Sequence, residues 1–149
     1  MLPFSITLRA GVPIYEQVVY AVRRATVSGQ LRTGDPFPSV RALSQELRIN
    51  PNTAHKIVAA LVEDGLLEVR PGLGTVVGEG KRAGASARRD LLEHDAERLV
   101  VEARRGGVGL QDLLAAIRKH WSRTVAPSTG SGSPRASREG ERDDEEVRR

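Results

Sequence analysis

The chain has 149 residues, of which 39% are hydrophobic and only 3% aromatic, and it contains no cysteine. This length accommodates one ordinary domain with appendages, and the lack of cysteine excludes a disulfide framework, a thiolate nucleophile and a cysteine-ligated zinc site. No apolar run is long enough to cross a bilayer, and the N-terminal MLPFSITLRAG lacks the pattern of a signal peptide. We therefore expect a soluble, cytoplasmic protein with no membrane partner.

The net charge of +4 is spread along the chain. Residues 1–80 carry eight Lys/Arg against seven Asp/Glu, residues 81–125 carry ten against six, and residues 126–149 carry five against six. A charge this diffuse is weak support for a polyanionic partner, so the placement of individual cations must decide the question.

The first part of the chain predicts an extended lead-in, a helix and a loop. Residues 1–10 are expected to be extended, whereas apolar residues recur at three and four positions through PIYEQVVYAVRRATVS. Pro13 suits the first turn of that helix, and Gly29 suits the position just past its end. The following GQLRTGDPFP is rich in Gly and Pro and is predicted to be a loop.

Two more helices and a hairpin are predicted next. Ser39 suits the N-cap of a second helix, VRALSQEL, and Asn50 and Pro51 suit the cap and first position of a third. Gly65 ends the third helix, whose predicted core face comprises Ala54, Ile57, Val58 and Leu61. The β-prone runs LLEVR and TVV are joined by PGLG, which predicts a hairpin.

The remaining chain divides into a linker, a helical region and a tail. We predict a first domain over residues 1–78, a small and polar linker over 79–87, and a helical region over 88–125. Its two helices are expected at about 88–105 and 110–123, separated by glycines. The charged residues 126–149 are predicted to be a disordered tail.

Three helices followed directly by a hairpin is the layout of a winged helix-turn-helix. The predicted turn from Arg48 to Asn50 is short enough to force a sharp angle between the second and third helices. Such a pair places its second helix in the major groove of DNA, where base edges present a readable pattern. The predicted fold class is therefore mainly α with a small β-hairpin: a winged helix-turn-helix domain followed by a short two-helix C-terminal region.

Four spaced motifs resemble the DNA-binding domain of GntR-type bacterial transcriptional regulators. They are GQLRTGD at 29–35, PSVRAL at 38–43, DGL at 64–66 and GLGT at 72–75. PIYEQV and the NPNT that begins the third helix further resemble the YtrA subfamily. The resemblance covers about residues 11–123, and it implies a winged helix-turn-helix followed by a short helical pair used for dimerisation.

The sequence departs from the usual GntR pattern at three positions. Phe37 stands where leucine is usual, and Val76 stands where phenylalanine is usual in the wing. Arg48 stands where glycine is common in the turn, and it carries some strain if that position requires a positive φ angle.

The resemblance also implies a set of DNA contacts. Arg41 matches an arginine that reaches DNA, where a guanidinium can fork onto a phosphate or a guanine edge; the alternative is a surface salt bridge. The first turns of the third helix are expected to reach the major groove, and the alternative is a solvated helix face. The expected contacts there are Asn52, Thr53, His55 and Lys56.

The wing is the second predicted contact region. Gly72 and Gly74 allow a tight turn that approaches the minor-groove backbone, and Arg70 beside them is a candidate phosphate ligand. The alternative is a hairpin turn without a DNA contact.

The two C-terminal helices carry more apolar side chains than an isolated helix pair buries. We call these side chains the apolar stripe: Leu92, Ala96, Leu99, Leu113, Leu114, Ile117 and Trp121. The stripe predicts a homodimer, because a dimer that recognises a two-fold operator gains affinity and half-site spacing together. The alternative is that the two helices pack back onto the first domain.

No set of residues indicates catalysis or a cofactor. Glu93, His94, Asp95 and His120 could be considered as metal ligands, but their spacing does not place them on one face. We therefore expect no cofactor, no metal and no enzymatic activity.

The predicted function is that of a nucleoid-associated, homodimeric transcriptional regulator, expected to repress by occupying an inverted-repeat operator in double-stranded DNA. The alternative is a winged-helix module that binds a protein partner, with DNA binding secondary. An effector ligand, if there is one, cannot be named from the sequence.

Overall fold

The computed structural model describes residues 1–124, which form three helices, a two-stranded antiparallel hairpin and a second helical region. The first elements are α1 (Ile14–Val27), α2 (Val40–Leu47), α3 (Pro51–Glu63), β1 (Leu67–Arg70) and β2 (Gly74–Val77). After them come α4 (Ala85–Asp90), a π-helical segment (Leu91–Asp95), α5 (Ala96–Arg105) and α6 (Leu110–Thr124). This order confirms the predicted winged helix-turn-helix with C-terminal helices; the predicted tail at 126–149 lies outside the described residues.

The hydrophobic core lies between α1, α2, α3 and the hairpin. The apolar positions of each helix recur at three and four residues, so each helix presents one buried side to the others. The largest fully buried side chains are Val18, Val22, Leu43, Ile57, Leu61, Leu67 and Val77. The four predicted core residues of α3 are all buried, which confirms the predicted face of that helix.

The extended lead-in is part of this core, which the sequence did not predict. Phe4 is only 4% exposed, and its ring stacks on Phe37 with 5.9 Å between ring centroids. The Gln17 side chain closes the segment against α1, because its amide donates to the carbonyl oxygens of Arg9 at 3.0 Å and Val12 at 2.8 Å. Phe37, unusual at its position, therefore has a stacking partner within the chain.

The loop between α1 and α2 is hydrogen-bonded to β2 of the hairpin, beside an isolated β-bridge. The Gly34 and Phe37 N–H groups donate to the carbonyl oxygens of Val77 at 2.7 Å and Thr75 at 2.8 Å. The Val77 N–H donates in return to Asp35 O at 2.8 Å, and Pro36 is bridged to Val76. The GQLRTGD motif thus attaches the wing to the segment that leads into α2.

The turn between α2 and α3 has the strain that the sequence suggested at Arg48. This residue is left-handed, with φ of 53° and ψ of 48°, and its N–H donates to Gln45 O at 3.3 Å. A side chain in this conformation costs about 1–2 kcal/mol, which glycine avoids. The sharp turn therefore forms in spite of its residue type.

We expect Arg48→Gly to raise the free energy of unfolding by about 0.5–1 kcal/mol, since relief of the left-handed strain exceeds the extra chain entropy of glycine. Urea denaturation of the full chain measures this change. Arg82→Gly is the matched control, because Arg82 is exposed and its φ is not positive. A variant at position 48 no more stable than this control would contradict the expectation.

The C-terminal helices differ from the prediction at their start and in their regularity. α4 begins at Ala85 rather than near residue 88, inside the segment predicted as linker. The helical run to Arg105 is also interrupted, because the Ala96 N–H donates to Leu91 O in a π turn. Leu91, which directly precedes the apolar stripe, is 59% exposed.

None of the residues in α4, α5 or α6 is buried. In the apolar stripe, Leu92 is 74% exposed and Trp121 is 72% exposed, while Leu113 and Leu114 are half-buried. The stripe is therefore not packed against the first domain in this structure.

Candidate DNA-binding interface

The start of α2 presents Arg41 to solvent. Ser39 caps the helix, as predicted, because its hydroxyl oxygen accepts from the Ala42 N–H at 3.1 Å. Arg41 lies in the first helical turn and is exposed, and no carboxylate within residues 1–124 lies at salt-bridge distance from it. Its guanidinium is thus available to a phosphate or a base edge.

The start of α3 is fixed by its first two residues. The Asn50 side-chain oxygen accepts from the Asn52 N–H at 2.8 Å, and Pro51 occupies the first helical position. Both roles confirm the sequence-based expectation. Because the cap uses its own side chain on the helix backbone, Asn50 serves the helix rather than a ligand.

The exposed side of α3 carries three of its four predicted contacts. Asn52, His55 and Lys56 are exposed at i, i+3 and i+4 and therefore lie on one face, which we call the recognition face. Thr53 is half-buried and lies toward the edge of that face. Ala59 is also exposed and continues the face by one turn; its methyl group is a suitable contact for a thymine methyl, and an alanine in a helix gave no sequence signal.

The wing turn depends on two glycines with positive φ. Gly72 and Gly74 both have φ of 80°, a conformation that other residues rarely adopt, and the Leu73 N–H between them donates to Arg70 O at 3.1 Å. Open space surrounds both glycines, so backbone conformation rather than crowding requires them. Leu73 is 71% exposed at the tip of the wing.

Arg70 is held by a neighbour on its own strand. Its Nη2 and Nε donate to Glu68 Oε2 at 3.0 and 3.2 Å, and both side chains are close to half exposed. The two residues alternate with Val69 along β1 and therefore lie on the same side of the strand. The predicted phosphate ligand thus already has an anionic partner.

Within residues 1–124 there is no group of three or more His, Asp or Glu side chains that could hold a metal ion. Over the same residues, no helix has both the length and the apolar character needed to cross a membrane.

Comparison with known proteins places this geometry in a family. Residues 14–77 match the family described as bacterial regulatory proteins of the gntR family. The HTH-type transcriptional repressor YtrA of Bacillus subtilis is 31% identical over 129 residues, which cover 86% of this chain and 95% of the relative. The chain belongs to the GntR family, in its YtrA-like subfamily.

Solved structures agree with this family assignment. A GntR family transcriptional regulator from Listeria monocytogenes is 28% identical, with a TM-score of 0.55, and the match covers 75% of this chain and 98% of that one. A transcriptional antiterminator from L. monocytogenes EGD-e reaches a TM-score of 0.69 at 20% identity over 83% of this chain and 92% of the other, which shows the shared fold. This GntR-family protein is a DNA-binding transcriptional regulator.

Proposed function

We propose that this protein is a homodimeric repressor that occupies an inverted-repeat operator and thereby blocks a promoter. The observation that carries the proposal is the recognition face of α3. It is polar, basic and exposed on a helix whose opposite side is buried in the core. The similarity to a B. subtilis protein named as a repressor supports repression rather than activation.

The proposed DNA contacts divide between positioning and recognition. Arg41 and Lys56 contribute charge toward phosphates or guanine edges, and Asn52 pairs with adenine in the major groove. Thr53 and His55 complete the first turns of α3 at the groove edge. Gly72 and Gly74 bring the wing backbone close to the minor groove, with Arg70 as a phosphate ligand.

The proposed dimer uses the apolar stripe of the C-terminal helices. Leu92, Leu99, Ile117 and Trp121 are between 42% and 74% exposed in the single chain. Several large apolar side chains exposed on the same helices indicate an interaction site. A second copy of the same stripe is its natural partner, because a two-fold contact pairs the same patch on both subunits. The proposal includes no catalytic activity and no cofactor.

The experiment that tests the proposal combines footprinting with in vitro transcription on the promoter region of its own gene. We expect two protected half-sites related by two-fold symmetry, about one helical turn apart, and reduced transcription from that promoter. Transcription that rises, or DNA that is not protected, would contradict repression; the second result would favour a protein partner.

The Glu68–Arg70 pair predicts that Glu68 competes with DNA for Arg70. An exposed pair contributes about 0.2–1 kcal/mol, so we expect Glu68→Gln to tighten operator binding by a few fold. The gain should vanish in an Arg70→Ala background, where no guanidinium remains to be released. Fluorescence anisotropy over a series of salt concentrations measures both effects. Arg70→Ala should lower the magnitude of the slope of log K, the logarithm of the binding constant, against log salt concentration by about one.

Two controls separate competition from general repulsion of DNA. Glu79→Gln removes the same charge outside the wing, from an exposed residue that follows β2. An equal gain from Glu79→Gln, or a gain from Glu68→Gln that persists without Arg70, would show repulsion instead.

A further inference from the structure

The start of the predicted linker, together with Gly78 before it, is anchored to the DNA-binding domain. Three backbone N–H groups, those of Gly78, Gly80 and Lys81, donate to carbonyl oxygens at distances of 2.9, 2.9 and 3.1 Å. Their acceptors are consecutive residues of the DGL motif: Leu66, Gly65 and Asp64. The chain that leaves the hairpin therefore runs antiparallel to this motif for one short stretch.

The anchor has little tolerance for side chains. A Cβ atom added to Gly78 would lie 2.4 Å from the Gly65 carbonyl oxygen, a distance that requires a backbone shift. Gly65 and Gly80 have φ of 74° and 76°, so each also needs the conformational freedom of glycine. The DGL motif is itself tied to α1, because the Arg23 guanidinium donates to the Asp64 carboxylate.

Little free chain remains between this anchor and the C-terminal helices. α4 begins at Ala85, and the carbonyl oxygen of Gly84 already accepts from the Arg88 N–H at 3.0 Å. Only residues 82–84 lie between the last anchoring bond and the helix. At about 3.5 Å per extended residue they span roughly 10 Å, whereas a free linker over 79–87 would span roughly 30 Å.

We infer that this anchored exit segment determines which operators are bound, by fixing the distance between the two half-sites. The inference rests on the proposed homodimer and on its inverted-repeat operator. Adding two base pairs between half-sites moves them apart by about 7 Å and rotates one relative to the other by about 70°. A tether of three residues has to use most of its roughly 10 Å span to cover this distance and has little length left for the rotation, whereas a tether of nine residues accommodates both.

The test begins with selection of inverted repeats from random duplex DNA by the full-length protein. The best selected operator is then rebuilt with its spacer changed by one and two base pairs in each direction, and affinities are measured by fluorescence anisotropy. For the wild type we expect a single preferred spacer and a loss of at least about tenfold at two base pairs, as expected when two linked sites cannot engage together.

Two variants and one control test whether the anchored segment causes the preference for a single spacer length. Insertion of Gly-Ser-Gly-Ser between Ala83 and Gly84 leaves every anchoring bond in place but lengthens the tether. The affinity lost when the spacer changes by two base pairs should then fall to less than about threefold. Gly78→Ala should also flatten the spacer profile, because the added methyl group displaces the anchor. Gly84→Ala is the matched control, since a Cβ there meets no atom within 4 Å, and its profile should equal that of the wild type.

The outcomes distinguish failure of this inference from failure of the proposed homodimer on an inverted-repeat operator. A wild-type dimer that binds all spacers within threefold, or an insertion variant that keeps the sharp profile, overturns the inference alone. A protein that is monomeric by light scattering and binds a single half-site overturns both. Should Gly78→Ala fail to fold, the insertion variant decides the result by itself.

Discussion

Replacing Arg41 with alanine should weaken operator binding by about 1–3 kcal/mol, roughly 5- to 150-fold, while leaving the fold intact. The side chain is exposed and has no carboxylate partner within the described residues, so its removal breaks no contact that the domain needs. Electrophoretic mobility shift on the promoter region of its own gene, checked by anisotropy, measures the loss.

Arg104→Ala removes the same charge from an exposed residue of α5 and serves as the control. If the Arg41 and Arg104 variants bind the operator with equal affinity, Arg41 does not contact DNA. The salt dependence identifies the contact that is lost. If the salt dependence of binding falls equally for every DNA sequence, Arg41 contacts a phosphate. If the preference for guanine is lost at one base pair, Arg41 contacts that guanine.

A charge placed in the apolar stripe should have the largest effect on DNA binding. We expect Ile117→Asp to convert the proposed dimer to a monomer, because the interface would have to bury an unpaired carboxylate. Loss of the second linked half-site should then lower operator affinity by about 10²- to 10⁴-fold. Light scattering coupled to size-exclusion chromatography measures the mass, and the same samples are used for anisotropy.

The control is Ala115→Asp, which adds the same charge to an exposed position on the other side of α6. Ile117 is 42% exposed in the single chain, so the variant protomer should remain folded and keep its thermal midpoint at low concentration. A fall in that midpoint without a change in mass would mean that the stripe packs onto the first domain, the alternative to pairing.

The features predicted correctly are those in which the deciding interaction is local. Ser39 and Asn50 cap helices through their own side chains, and Pro51 and Gly65 mark the two ends of α3 through their backbone preferences. Each of these signals lies within a few residues of the element that it starts or ends. The exposure of Asn52, His55 and Lys56 followed for the same reason, because these residues alternate with a buried face at helical spacing.

The features that were missed depend on distant parts of the chain. Nothing near Phe4 indicates that it stacks on Phe37, and nothing near Pro36 indicates that its loop pairs with β2. Gly78 was predicted only as the last residue of the first domain, and nothing near it indicates that it passes close to the Gly65 carbonyl oxygen. The pairing of Arg70 with Glu68 was local, but opposite charges two apart on a strand are too common to single out.

The hydrogen bonds between the α1–α2 loop and β2 join the wing to the segment that leads into α2. Asp35 and Phe37 bond to the wing strand, and α2 begins only a few residues later with Arg41 in its first turn. The separation between the proposed major-groove and minor-groove contacts is therefore set within each protomer. Binding with a set separation of these contacts favours DNA whose groove width and twist match it. We therefore expect operator preference to extend to base pairs that no side chain touches.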